Sequence, residues 1–222
     1  MAQLNPKLND PKAKKQVASA QRYIEQHVYV KDDSDEFFRK CYAFSILVRH
    51  DVMQYQHVPM KFRTAEVAYW GVQQDPYNLR NTPNESKTYD VCLAAVSKKG
   101  SMLQDVPKEL IDEKMAWTAV ENDQIGTAMY WIPELMRTPE MCDLAVKNAP
   151  RALATVPNKL RTSDLCLSAV QRDPNLMTAV YGKAKREWVM RNLTPQQQHE
   201  VQWRNDQRNR KGAYAPKPRV RK

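Results

Sequence analysis

TPEMCDLAVKNAPRALATVPNKLR, Thr138 to Arg161, is followed at once by TSDLCLSAVQRDPNLMTAVY, Thr162 to Tyr181, and the second stretch is nearly a copy of the first. In both a Thr opens the segment, Cys and Val stand four apart, and a Pro follows four residues later. The Val recurs along the chain as Val48, Val72, Val96, Val120, Val146 and Val170, at steps of 24, 24, 24, 26 and 24. Pro59, Pro83, Pro107 and Pro157 each lie eleven residues beyond it; in the fourth copy Pro133 comes thirteen beyond, and in the sixth Tyr181 takes the place. Self-similarity at this period is the signature of stacked repeats, each too small to bury both of its faces alone.

Each copy follows one script. Thr64, Thr88, Asp112, Thr138 and Thr162 are placed to N-cap a first helix of about ten residues, because a side-chain oxygen there accepts from the free N–H groups of the opening turn. Glu66, Asp90, Glu140 and Asp164 stand two residues later, where a carboxylate meets the positive end of the helix dipole. Val91, Leu93 or Cys92, Ala95 and Val96 present the inward face, and Gly71, Ala95, Ala119, Ala145 and Ala169 leave room for close helix approach before the Val. A turn, Asp75-Pro76 or Asp173-Pro174, then starts a shorter helix that buries one large residue: Tyr55, Leu79, Leu103, Met129, Leu153 or Met177. Pro stops it, lacking an amide donor and clashing with the preceding turn. The expected fold is all-α, an α-solenoid of about six repeats of 24 or so residues. Residues 1–36 form an N-terminal arm and capping helix, 37–186 the repeat body, and 187–222 a basic C-terminal helix and extended tail.

Composition supports this and narrows the function. The apolar share is 42%, and no run reaches the length of a membrane span. The N-terminus MAQLNPKLNDPKAKK has no apolar signal core, so the reading is a soluble protein, cytoplasmic or inside a virion or ribonucleoprotein, and not secreted. Cys92, Cys142 and Cys166 share one repeat position with Phe44, Ala68 and Ala116, which makes it a packing site of buried free thiols. No Cys-x-x-Cys pair suggests a metal. The net charge of +10 is segregated: residues 183–222 hold twelve Lys or Arg against three acidic residues, whereas residues 41–182 are close to neutral.

At the ends the pattern changes. Val17, Ala20, Ile24 and His27/Val28 form a helical stripe over Lys14–Val28, with Pro6 and Pro11 keeping the preceding chain irregular. The acidic run Asp32, Asp33, Asp35 and Glu36 reads as a solvated loop and helix start. Beyond Tyr181 a closing helix is expected, then a second from the capping box Thr194-Pro195-Gln196-Gln197. In that second helix Arg204, Arg208 and Lys211 line one face. Val201 and Trp203 give it little reason to pack on a core, so a cut after Asn192 is expected to leave a folded body. AYAPKPRVRK should be extended.

Thr88–Val96 (TYDVCLAAV) with Val106–Leu110 (VPKEL), and Leu165–Val170 (LCLSAV), resemble the short tandem helical repeats of bacterial, protist, phage and large-virus proteins catalogued as a domain of unknown function. The likeness covers residues 41–184. The second repeat departs from it through Asn81-Thr82-Pro83-Asn84-Glu85-Ser86, and the first and fourth are partial. The resemblance implies a fold and a host range, not a reaction.

Catalytic signals are sparse. His27, His50, His57 and His199 have no HExxH or triad spacing, and five glycines form no phosphate-cradling loop. No catalytic residue, metal site, cofactor or small-molecule substrate is called, no membrane partner is expected, and the chain is read as a non-enzyme. The expected partners are a protein in a larger assembly, met by the repeat body, and nucleic acid or an assembly surface, met by Arg204, Arg208, Arg210, Lys211, Lys217, Arg219, Arg221 and Lys222 with Trp203 and Tyr214 to stack on bases. Tyr69, Trp70, Tyr130 and Trp131 are the candidates for gripping a protein, by the preference of aromatics for binding hot spots. Their helical spacing suits core filling as well, and surface exposure separates the two readings. The alternative function is a phage- or effector-encoded adaptor or inhibitor that holds one host protein through these aromatics.

Overall fold

The computed structural model describes residues 10–27 and 34–213, with side chains as far as Arg210. All regular structure among them is helical, so the protein is all-α. The chain divides into two compact units, Met1–Asn122 and Asp123–Lys222. The boundary falls in the fourth repeat, where two extra residues break the 24-residue period.

The first unit opens with α1, Pro11–Gln26, and α2, Ser34–Arg49. α1 starts at Pro11 rather than at Lys14, because Asp10 accepts the Lys12 N–H at 3.0 Å and proline at the first position loses no hydrogen bond; Pro6 lies outside the described residues. Val17 and Ala20 pack with Ala43 and Leu47 of α2. Asp35 and Glu36 sit in the first turn of α2, but Glu36 is buried rather than solvated. Tyr23 Oη donates to its Oε2 at 2.5 Å, and Lys40 Nζ lies 3.7 Å from Oε1, so the carboxylate keeps polar company away from water. Val28, Asp32 and Asp33 lie outside the described residues.

Three short helices follow in this unit: α3 (Ala65–Gln74), α4 (Tyr89–Lys98) and α5 (Glu113–Glu121). The second unit holds α6 (Ala128–Trp131), α7 (Pro139–Asn148), α8 (Ser163–Arg172), α9 (Lys183–Asn192) and α10 (Pro195–Ala213). Neighbours stack in series: α2 on α3, α3 on α4 and α4 on α5 in one unit, α7 on α8 and α8 on α9 in the other. Thr88, Asp112, Thr138 and Thr162 accept the N–H three residues on, as expected; Thr64 makes no such bond. The inward register holds in every copy. Positions equivalent to Val91, Cys92, Ala95 and Val96 are buried from α3 to α8 wherever a repeat helix occurs, and so is each of the six large landmark residues.

The second element is a six-residue 3₁₀ helix in four of the repeats, whereas the fourth repeat uses the short α-helix α6. Pro76–Asn81, Gly100–Asp105, Pro150–Thr155 and Pro174–Ala179 share the 3₁₀ form, and the returns beyond the first three carry a further 3₁₀ turn, Asn84–Ser86, Lys108–Leu110 and Asn158–Leu160. At about 2 Å of rise per residue, six residues reach about 12 Å, enough to cross from one repeat helix to the next. The same six in an α-helix would reach about 9 Å. The residue before each Pro is extended, as the proline ring demands.

A buried guanidinium joins successive repeats. Arg63 donates from Nε to Val58 O, from Nη2 to Gln56 O and from Nη1 to Asn81 O, at 2.9, 2.8 and 2.7 Å. Arg161 repeats this with Val156 O, Ala154 O and Ala179 O, at 2.7, 2.9 and 2.7 Å. Arg137 does the same more loosely with Ile132 O, Tyr130 O and Thr155 O. Lys87 keeps only the forward bond, to Asp105 O at 3.0 Å, and Ile111 occupies the position in the fourth copy. Carbonyls at the ends of 3₁₀ helices have no helical partner. The rigid fork of arginine satisfies three of them at once.

All four cysteines are buried, and the three at the repeat position are far from thiolate chemistry: burial pushes Cys92 and Cys142 up to about 11, and Cys166 up as well. Since only the thiolate reacts readily, native protein at pH 8 is expected to leave Ellman's reagent almost unreacted, and protein in urea to titrate all four thiols. Rapid native release of two or more equivalents would contradict the packing role of Cys92, Cys142 and Cys166.

Candidate functional site

The four candidate aromatics form two separate pairs with different exposures. In the first unit Tyr69 and Trp70 are half-buried on α3, edge to face at 5.3 Å and 83°. The Arg49 guanidinium lies 4.7 Å over the Trp70 ring. Together with Gln73 and Lys98 they border a hollow of about 290 Å³, where Lys98 Nζ donates to Gln73 O. This pair is part packing and part surface.

In the second unit the fourth repeat's extra residues build a different lead-in. Buried Asp123 accepts the N–H groups of Ile125 at 3.0 Å and Ala128 at 2.6 Å, and Gly126 takes φ +85°. A Cβ on Gly126 would stand 2.7 Å from Ala152 N, so both the conformation and the close approach require glycine. The loop delivers α6, which sinks Met129 and leaves Tyr130 66% and Trp131 39% exposed, edge to face at 5.1 Å. Leu135, beyond Pro133, is fully exposed. The core-filling reading therefore fails for Tyr130 and Trp131. The repeat register itself carried the signal: other copies hold Arg80-Asn81, Gln104-Asp105, Ala154-Thr155 and Thr178-Ala179 at these places, small or polar residues that suit a surface.

The basic C-terminal element is better anchored than its sequence suggests. The capping box forms, with Gln197 N–H on Thr194 Oγ1 and Thr194 N–H on Gln197 Oε1, at 3.3 and 3.0 Å. Val201 is 1% exposed, α10 packs on Pro174–Ala179, and Gln198 Nε2 donates to Met190 O and Leu193 O. The expectation that this helix stands off the core is thus overturned, because one Val and two glutamine side chains suffice to dock its first turns. A cut after Asn192 would strip that cover. Among the anchoring candidates, Arg204 is half-buried and paired with Glu200 at 2.6 Å, whereas Arg208 and Arg210 are exposed, as is Trp203. Lys211 lies on α10; Lys217, Arg219, Arg221, Lys222 and Tyr214 lie outside the described residues.

His27 stacks on Tyr23 at 4.1 Å, and among the described residues no three His, Cys, Asp or Glu side chains gather as metal ligands would. No described helix is long and apolar enough to cross a membrane. These features define an all-α protein in which aromatic residues on α6 and cations on α10 stand exposed. The chain matches no protein-family model, no curated protein and no solved structure.

Proposed function

We propose that the chain is a non-enzymatic helical-repeat scaffold that holds a protein partner through its repeat body. Its basic C-terminal arm anchors it to nucleic acid or inside a large assembly such as a virion or ribonucleoprotein. The observation that carries this reading is the segregation of charge, with Arg208, Arg210 and an exposed Trp203 on α10 while the repeats are near neutral. Cations on one element neutralise phosphates and release counterions, and an exposed indole offers a stacking face to a base. Fluorescence anisotropy with labelled oligo-uridine of about 20 nucleotides is expected to show binding that weakens at least tenfold between about 50 and 200 mM salt. The Arg208→Glu/Arg210→Glu variant lacking residues 214–222 should lose that binding and keep its helical circular dichroism. Equal binding by this variant would reject the role given to the arm.

A second reading, a small adaptor that grips one host protein, is favoured by the exposure of Tyr130, Trp131 and Leu135. It predicts a stoichiometric partner retained after nuclease treatment and high salt. Tyr130→Ala/Trp131→Thr, which installs the residues of the fifth repeat, should release that partner without loss of fold.

A further inference from the structure

We infer that the groove between α1 and α2 is a docking site for an acidic amphipathic helix of a protein partner. Phe38, Tyr42 and Ile46 recur at i, i+4 and i+8 on α2, and the first two are 69% and 60% exposed. They open onto a hollow of about 790 Å³ whose other wall is α1, from Lys12 to Tyr23. Unlike the hollow beside Trp70, this one has, among the described residues, no carboxylate in its lining and three cations, Lys12, Lys15 and Arg39.

The repeat register shows how unusual this surface is. Tyr42 holds the place that carries Glu66, Asp90, Lys114, Glu140 and Asp164 in the other copies, all exposed and all charged. An exposed aromatic where five equivalents are ionic is unfavourable for a bare surface and suited to a covered one. Arg39 likewise stands at the register of Arg63, Arg137 and Arg161, whose guanidinium groups are spent on backbone carbonyls; that of Arg39 is exposed at the groove.

The geometry sets the occupant. The α1 wall runs from Lys12 to Tyr23, twelve residues and about 16 Å or three helical turns, which matches a helix laid lengthwise with apolar anchors at i, i+3/i+4 and i+7. An apolar floor whose charged neighbours, among the described lining residues, are Lys12, Lys15 and Arg39 selects a ligand whose anchors are flanked by Asp or Glu, and it repels a basic one. This inference rests on the reading of the repeat body as the part that docks a protein, and it is independent of the basic arm.

The test is a selection from a random library of peptides of about 16 residues on the full chain, with Tyr42→Glu as the counter-selecting variant. Glutamate is the residue of two other repeats at that exposed position, so helicity and melting should stay unchanged; Tyr42→Ala serves as a second check. The expected winners carry apolar residues at helical spacing beside Asp or Glu, and lose at least about tenfold in affinity on Tyr42→Glu and on Lys12→Glu/Lys15→Glu. Neutral or basic winners, or equal binding to Tyr42→Glu, would overturn the site. Winners lost only on Tyr130→Ala/Trp131→Thr would overturn it while sparing the protein-docking reading, and an empty selection would sink both. Two further results would reassign the occupant and reject a foreign helix. One is concentration-dependent dimers abolished by Tyr42→Glu; the other is peptide binding that appears only after deletion of residues 1–9.

Discussion

Replacing Arg161 with Ala is expected to destabilise the second unit by about 3 kcal/mol or more, among the largest effects of any single polar substitution in the chain. The guanidinium is buried and serves Val156 O, Ala154 O and Ala179 O, with the Tyr181 ring 4.8 Å from its face. Its removal leaves three carbonyls without a donor, and each buried unsatisfied group costs about 1–3 kcal/mol. Arg161→Lys keeps the charge but has no fork, and should behave as Lys87 does, recovering one bond and about 1–2 kcal/mol of the loss. Urea denaturation followed by circular dichroism measures both through the midpoint at unchanged slope. A loss under about 1 kcal/mol for the Ala variant would mean that water replaces the clamp, and that stacking rests on the apolar register alone.

Gly71→Ala should cost about 2–3 kcal/mol, although alanine favours a helix over glycine. A Cβ there would stand 2.4 Å from Tyr55 Cδ2 and 2.5 Å from Cγ. The ring cannot swing aside, because its hydroxyl is bonded to Thr82 Oγ1 at 2.9 Å, its backbone N–H to Gln74 Oε1 at 3.1 Å, and Arg63 covers its face at 5.0 Å. The other copies pair a smaller landmark with alanine: Leu79 with Ala95, Leu103 with Ala119, Leu153 with Ala169. Tyr55→Leu combined with Gly71→Ala should therefore be more stable than the sum of the two single changes by at least about 1 kcal/mol. Strict additivity would show that the landmark and the small residue of the next helix are not a matched pair.

Much of this fold was legible because its signals are local. A Thr cap, a carboxylate in the first turn, Val and Cys four apart and a Pro stop all act within one repeat, and six copies reinforce a pattern that one copy would leave ambiguous. The landmark residues were legible for the same reason. The clamp was not read, though Arg63-Thr64, Lys87-Thr88, Arg137-Thr138 and Arg161-Thr162 stand in the same register. Arginine is so commonly a surface residue that its charge was balanced against nearby acids, and the three carbonyls that hold it come from segments 5, 7 and 18 residues away.

The sequence by itself determined an all-helical chain of repeated short units, the faces those units bury and the concentration of positive charge beyond them, because periodicity and capping are properties of neighbours along the chain. Only the tertiary structure decided that Tyr130 and Trp131 face solvent, that Val201 docks α10, that a 3₁₀ helix rather than an α-helix forms the second element in most repeats, and that Phe38 and Tyr42 open onto a groove. Whether a side chain is covered depends on elements brought to it from elsewhere in the chain, and no local pattern states which of them will arrive.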